Sequence, residues 1–222
     1  MTMLTERIEG SVLTLELARV DRGNALNRSL QAELAEAWER FENDERLRVA
    51  VLQGAPDVFS IGHDVAELAE DTGLSPIADA GMHPLHLSRP VIAAIEGPCY
   101  GLGFELALAC DLRVAAEGAS FGFADPHLFV PYRVASVLLP RMTFLGDSLE
   151  LILSGRILAA AEMRAIGLVS ELTPKGRASA RASELAHDMV QRFGRGDFRK
   201  QAIWRLSGMP LPAAMQTARS PR

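Results

Sequence analysis

Short apolar runs alternate along this chain with longer stretches in which apolar residues recur every three or four positions. Residues 6–17 alternate as two strands would, around a Gly10-Ser11 turn, and predict a hairpin. Asn27-Arg28-Ser29 caps a helix over 29–43, with Leu30, Leu34, Ala37, Trp38 and Phe41 at helical spacing. A strand at 49–53 and a short helix near 65–71 follow. Residues 72–88, broken by histidine, proline and glycine, have no period and read as a mobile loop over a site. A strand at 91–95, an apolar helix at 103–110, strands at 111–116 and 120–122, and helices near 133–141, 146–153 and 160–166 complete an α/β core. After Pro174 the pattern becomes purely helical. Residues 177–193 gather Ala182, Leu185, Ala186, Met189, Val190 and Phe193 on one face, and a second helix is expected over 197–207. The expected organisation is a core over 1–173 and a C-terminal helical segment over 174–222.

Composition narrows the class. The 222 residues are 48% apolar and 23% charged, which is globular, and long enough for one large core. A net charge of −5 argues against a nucleic-acid partner, and no apolar run approaches membrane-spanning length. The two cysteines, Cys99 and Cys110, have the spacing of neither a zinc site nor a disulfide framework. With no apolar signal segment over Met1–Arg7, a reduced cytoplasmic location is expected. His83, His86 and His127 fit no metal-site spacing, so no metal is expected.

The chemistry is carried by two glycine-flanked segments, Phe59-Ser60-Ile61-Gly62-His63-Asp64-Val65 and Gly101-Leu102-Gly103-Phe104-Glu105. Each follows a strand-like run and opens a helix, so each leaves backbone N–H groups unpaired. Two such turns facing each other form an oxyanion hole for a carbonyl oxygen.

Around them stand Asn24-Ala25-Leu26-Asn27, Pro90-Val91-Ile92-Ala93-Ala94-Ile95-Glu96-Gly97, Glu105-Leu106-Ala107-Leu108-Ala109-Cys110-Asp111, Ser120-Phe121-Gly122, Leu151-Ile152-Leu153-Ser154-Gly155-Arg156 and Ala165-Ile166-Gly167-Leu168-Val169. In that order, over residues 5–173, the chain resembles the crotonase (enoyl-CoA hydratase/isomerase) superfamily. The resemblance implies a ββα superhelix, here with a shortened C-terminal helical segment, and assembly as a homotrimer or dimer of trimers. It implies an acyl-CoA thioester as ligand and no cofactor beyond that CoA. The oxyanion donors it implies are the backbone N–H groups of His63 and Leu102. The His63 side chain is then either a passenger or a partner for a substrate carboxylate. Ser60, Gly62, Asp64, Val65 and Gly101, in the same turns, and Ala124 are expected to line the acyl-CoA site, and Arg22, Ala25 and Leu26 match a loop that touches CoA in relatives. Asp64 is also expected to cap the helix that follows it.

Glu105 matches the first catalytic glutamate of enoyl-CoA hydratases, although a glutamate at a helix start is also stabilised by the dipole alone. For the second carboxylate the chain departs from the family: Phe121-Gly122-Phe123-Ala124-Asp125-Pro126 lacks the glycine-rich segment, and either Asp125 or Ala124 takes the position. An ungapped comparison resembles methylmalonyl-CoA decarboxylases through Gly62-His63-Asp64, Glu96-Gly97, Phe104-Glu105 and Val130-Pro131-Tyr132, and makes Tyr132 an active-site residue. The expected reaction is therefore decarboxylation of a malonyl-type CoA ester through a thioester enolate. The alternatives are an enoyl-CoA hydratase or isomerase using Glu105, with Asp125 as second acid, an acyl-CoA-binding protein without catalysis, and a carbon–carbon hydrolase acting without CoA.

Overall fold

The computed structural model describes residues 2–70, 84–123, 132–193 and 200–219. The hairpin is β1 (Leu4–Glu9) and β2 (Val12–Leu17), antiparallel, with Ile8 opposite Leu13. β2 pairs in parallel with β3 (Val49–Gln53), and the sheet continues through β4 (Val91–Ile95), β6 (Leu112–Ala116) and β9 (Glu171–Thr173), all parallel, in the order β1-β2-β3-β4-β6-β9. Near-continuous apolar strands such as Val91–Ile95 suit a sheet covered on both faces.

A second, three-stranded sheet runs β5 (Pro98–Tyr100), β7 (Ser120–Gly122) and β8 (Leu158–Ala159). The chain passes from β4 into β5 and then α3 (Gly101–Ala109), and again from β6 into β7 and then α4 (Arg133–Met142). Ser60 bridges Cys99 of β5 in parallel, so β3, Ser60 and α2 (Val65–Glu70) make one more such unit. These are the stacked ββα turns that the resemblance implies. Helix α1 (Arg28–Asn43) lies as expected, its Leu30 amide capped by the Asn27 side chain at 2.9 Å.

The larger core lies on the α1 and α3 side of the main sheet, with Phe59, Phe104 and Phe121 in it. The opposite face is covered by α7 (Ala178–Phe193). Its Ala178, Ala182 and Ala186 pack on Val12, Val49, Val51, Ile92, Ala94 and Val114. Alanine every fourth residue lets this helix lie close to the strands. Glu96 fixes its start, accepting from the amides of Gly176 at 2.8 Å and Ala178 at 2.7 Å, a carboxylate at a helix N-terminus. The expected boundary at residue 173 thus separates α7 from the sheet that it covers.

Helix α5 (Leu145–Ser154) and helix α6 (Ala160–Ala165) follow α4; α8 (Lys200–Ser207) and α9 (Leu211–Arg219) follow α7. Lys200 is buried. Its ammonium lies 2.8 Å from Asp111 Oδ2 and donates to the Pro84 carbonyl at 2.5 Å, tying α8 to the segment before β4. The loop expected over 72–88 falls largely outside the described residues, as do His83 and His127. Among the described residues no helix is long and apolar enough to cross a membrane, and no cluster of potential metal ligands occurs.

Candidate active site

The first turn is built by pairing rather than by its own sequence. The Phe59 and Ser60 amides donate to the Pro98 carbonyl, and the Tyr100 amide returns a bond to the Ser60 carbonyl at 2.9 Å. The chain then reverses at Gly62, whose φ of +103° is a conformation that L side chains rarely adopt. The Gly62 carbonyl accepts from the Leu26 amide at 2.7 Å. Because the peptide is planar and trans, the His63 N–H of that same unit points the opposite way. Leu26, expected as a ligand contact, therefore aims the first donor through its backbone.

The second turn follows β5. Gly101 has φ +51° and starts α3, and its capping residue Tyr100 offers no side-chain hydrogen bond to the helix. The Leu102 amide belongs to the first turn of that helix, where backbone donors have no intrahelical acceptor. Among the described residues neither the His63 nor the Leu102 amide meets an acceptor. The two turns touch: a β-carbon placed on Gly62 would lie 3.3 Å from the Leu102 nitrogen and 3.0 Å from the Tyr100 carbonyl oxygen. Across the chain, Arg113 holds the far end of α3, donating to the carbonyls of Cys110 at 2.7 Å and Leu168 at 2.5 Å.

A buried polar cluster backs the first turn. Asn24 has φ +54°, which Asn tolerates better than most residues; it accepts from the Arg19 amide at 2.9 Å and donates to the Phe59 carbonyl at 3.1 Å. Ser60 Oγ donates to the Asn24 carbonyl at 2.8 Å and accepts from the Gly62 amide at 3.2 Å. Arg19 meets Asp64 at 2.6 Å and the Ala25 carbonyl at 2.9 Å. Asp64 caps α2 as expected, taking the Ala66 amide at 3.1 Å. Burial opposes ionisation of Asp64, but Arg19 and the Ala66 amide outweigh it and hold the carboxyl below its usual range.

Glu105 lies one helical turn after Leu102 and is 2% exposed. Its Oε1 accepts from the Ala135 amide at 2.8 Å, in the first turn of α4, where Tyr132 provides no side-chain cap. Burial raises its pKa to about 7; hydrogen bonds from the Ala135 and Val134 amides offset only part of that rise. A carboxyl that titrates near neutrality suits proton transfer at physiological pH. The His63 ring is half-buried, and burial lowers its pKa to about 4, so it is a neutral imidazole at pH 7.

The Tyr132 ring packs on Phe123 with centroids 4.3 Å apart, and Phe123 on Phe104, the residue before Glu105, at 5.1 Å. Asp125 and Ala124 lie outside the described residues. Ala25 is buried, Val65 is exposed at the start of α2, and Arg22 is exposed beside Asp21. The structure thus unites His63, Leu102, Gly62, Gly101 and Glu105. It turns Ser60 inward, onto backbone, instead of toward a ligand. The roles of Arg19, Asn24 and the Ala135 amide are not visible in the sequence; the Asn24 motif is a signal, but its partners Phe59 and Ser60 lie 35 and 36 positions away.

The profile of the enoyl-CoA hydratase/isomerase family matches residues 7–200. The chain belongs to that family. It is 33% identical over 219 residues to carnitinyl-CoA dehydratase of Escherichia coli, covering 95% of this chain and 84% of that one. It is also 33% identical over 193 residues to enoyl-CoA hydratase EchA19 of Mycobacterium tuberculosis, covering 82% of this chain and 72% of the relative. A monofunctional enoyl-CoA isomerase of M. smegmatis superposes with TM-score 0.83 at 30% identity, covering 96% of this chain and 98% of that one. This chain is accordingly an enzyme of the enoyl-CoA hydratase/isomerase family, with the crotonase fold.

Proposed function

We propose that the protein moves protons at an α,β-unsaturated acyl-CoA thioester, in hydration and dehydration or in double-bond isomerisation. The observation that carries the reading is Glu105: a buried carboxyl with a pKa of about 7, on the helix whose first turn presents the Leu102 amide. The thioester oxygen accepts from His63 N–H and Leu102 N–H, and the charge that develops on it as the enolate forms meets donors already in place. In isomerisation Glu105 takes a proton from one carbon and returns it two carbons along, so one carboxyl suffices. In hydration a second acid completes the pair, and we assign that role to Asp125. Substrate contacts from Arg22, Ala25 and Val65, and CoA as the sole non-protein group, belong to the same proposal.

Decarboxylation of a malonyl-type ester, with Tyr132 in the active site and Tyr132 or a water as proton donor, was the expectation from the ungapped comparison. The relatives are named for dehydratase, hydratase and isomerase activities instead, and they support the alternative. The deciding assay follows enoyl absorbance with trans-2-enoyl-CoA and 3-enoyl-CoA esters, alongside CO2 release from substituted malonyl-CoA. Turnover of an enoyl ester is expected, with kcat/KM for proton abstraction rising about tenfold per pH unit up to a pKa of about 7. CO2 release without enoyl turnover would restore the decarboxylase. Silence on both, with acyl-CoA bound, would make the chain a binding protein.

We also propose a homotrimer or dimer of trimers. Leu145, Leu149 and Leu153, spaced four apart on α5, are exposed, and the adjoining Phe144 is 82% exposed. An apolar stripe of that kind is typical of a subunit contact. Light scattering is expected to give three or six times the chain mass of 24.1 kDa; a monomer or dimer mass would overturn this assembly.

A further inference from the structure

The two donor turns are not continuous in the chain, so something must set the gap between them. Ser60 occupies that place. It is fully buried, and its Oγ joins the Asn24 carbonyl at 2.8 Å to the Gly62 amide at 3.2 Å. Its other side meets the second turn: a β-carbon on Gly103 would lie 2.6 Å from both Ser60 Cβ and Oγ. Glycine at 103 is therefore the condition for Ser60 to pack against the first turn of α3. The hydroxyl reaches one donor turn by hydrogen bond and the other by contact, and it faces no open space through which a ligand might enter.

We propose that Ser60 is a positioning residue that fixes the separation of the His63 and Leu102 amides and thereby the strength of the oxyanion hole. The proposal rests on the enoyl-thioester reading above. Without the hydroxyl, the Gly62 amide and Asn24 carbonyl lose their shared partner, and the peptide that carries His63 N–H gains slack. A misplacement below 1 Å matters here, because such donors act through preorganisation. Substrate affinity depends on the rest of the acyl-CoA and should change little.

The test compares wild type with Ser60→Ala and Ser60→Cys, in kcat, KM, melting temperature and the infrared carbonyl stretch of a bound, unreactive saturated acyl-CoA carrying a 13C label at the thioester. In wild type the stretch should fall on binding, as hydrogen bonds polarise the carbonyl. Ser60→Ala should lose most of that fall and about 30-fold in kcat with KM within about threefold. Ser60→Cys, which keeps a weak donor of similar size, should recover part of both. An equal carbonyl shift and equal kcat in Ser60→Ala would overturn the role of Ser60 while leaving the hole intact. A wild-type protein that binds the ester with no carbonyl shift would overturn the hole itself, and the positioning role with it. If Ser60→Ala does not fold, the same spectra on Ser60→Cys decide, an unaltered shift with unaltered kcat counting against the proposal.

Discussion

Glu105→Gln is expected to abolish enoyl-CoA turnover and, at pH 8, to make the protein more stable. The first effect follows from removing the acid/base: a positioned proton-transfer group contributes up to about 10⁴-fold, so kcat should fall at least about 10³-fold. The second follows from linkage. Burial raises the Glu105 pKa from 4.5 in an unstructured chain to about 7 in the folded protein. A carboxyl whose folded pKa is raised contributes its stability fully below pH 4.5 and loses it as pH rises through about 7. Each tenfold change in proton affinity is worth about 1.4 kcal/mol, so the ionised site costs the fold about 3 kcal/mol at pH 8.

Glutamine keeps an oxygen for the Ala135 amide and carries no charge. The melting temperature of Glu105→Gln should accordingly exceed that of wild type by about 6–12 °C at pH 8 and match it near pH 4. Stability and activity are opposed at this residue, as expected where a charge is kept in an apolar pocket for use. A variant that is equally destabilised at both pH values would mean that Glu105 serves chiefly as the cap of α4. Undiminished turnover would remove it from the chemistry.

Much of this was legible in the sequence because it is local. Strand β4 is a continuous apolar run, β3 is one up to Gln53 and β6 is one broken only by Arg113, and α1 carries its cap and its apolar stripe in adjacent residues. The two donor turns announce themselves by glycine, since only glycine reaches φ +103° at position 62 without strain. Strand β5 was not expected; three residues beginning with proline carry no alternation, and pairing with β7 and with Ser60 makes them a strand. Helix α9 lies beyond the last helix expected from the sequence; Pro212 sits in its first turn, where no amide is needed.

The parts of the site that stayed hidden are long-range hydrogen bonds. Ser60 meets Asn24 across 36 positions and Glu105 meets Ala135 across 30. No periodicity encodes such a meeting, so Ser60 was read as a ligand contact and Asn24 only as part of a motif. Tyr132 entered through resemblance, and its packing on Phe123 gives it a structural task that the resemblance did not imply. The purely helical pattern after Pro174 sets the C-terminal segment apart in the sequence, and its apolar face does not say what it covers. Burial of Lys200 against Asp111, and the alanine stripe of α7 on the sheet, become visible only once the strands are assembled.

Gly62→Ala should cost both stability and most of the activity. Position 62 has φ +103°, so alanine there incurs backbone strain of about 1–3 kcal/mol. Space adds to strain. The new methyl would stand 3.0 Å from the Tyr100 carbonyl oxygen, 3.3 Å from the Leu102 nitrogen and 3.4 Å from the Gly101 α-carbon. All three neighbours are backbone atoms of the second turn, so no side chain can swing aside to relieve the contact. Relief requires moving the second turn away from the first, which separates the very amides that must converge on one oxygen.

Losing the alignment of one donor costs about 10²–10³-fold, and kcat/KM should fall by that amount while acyl-CoA is still bound. Gly118→Ala is the control: its added carbon meets nothing within 4 Å, and both melting temperature and turnover should stay near wild type. If Gly62→Ala lowers the melting temperature but leaves kcat/KM at the wild-type value, the two turns do not act as one site. In that case the His63 and Leu102 amides are merely neighbours, and the charge on the thioester oxygen is met elsewhere.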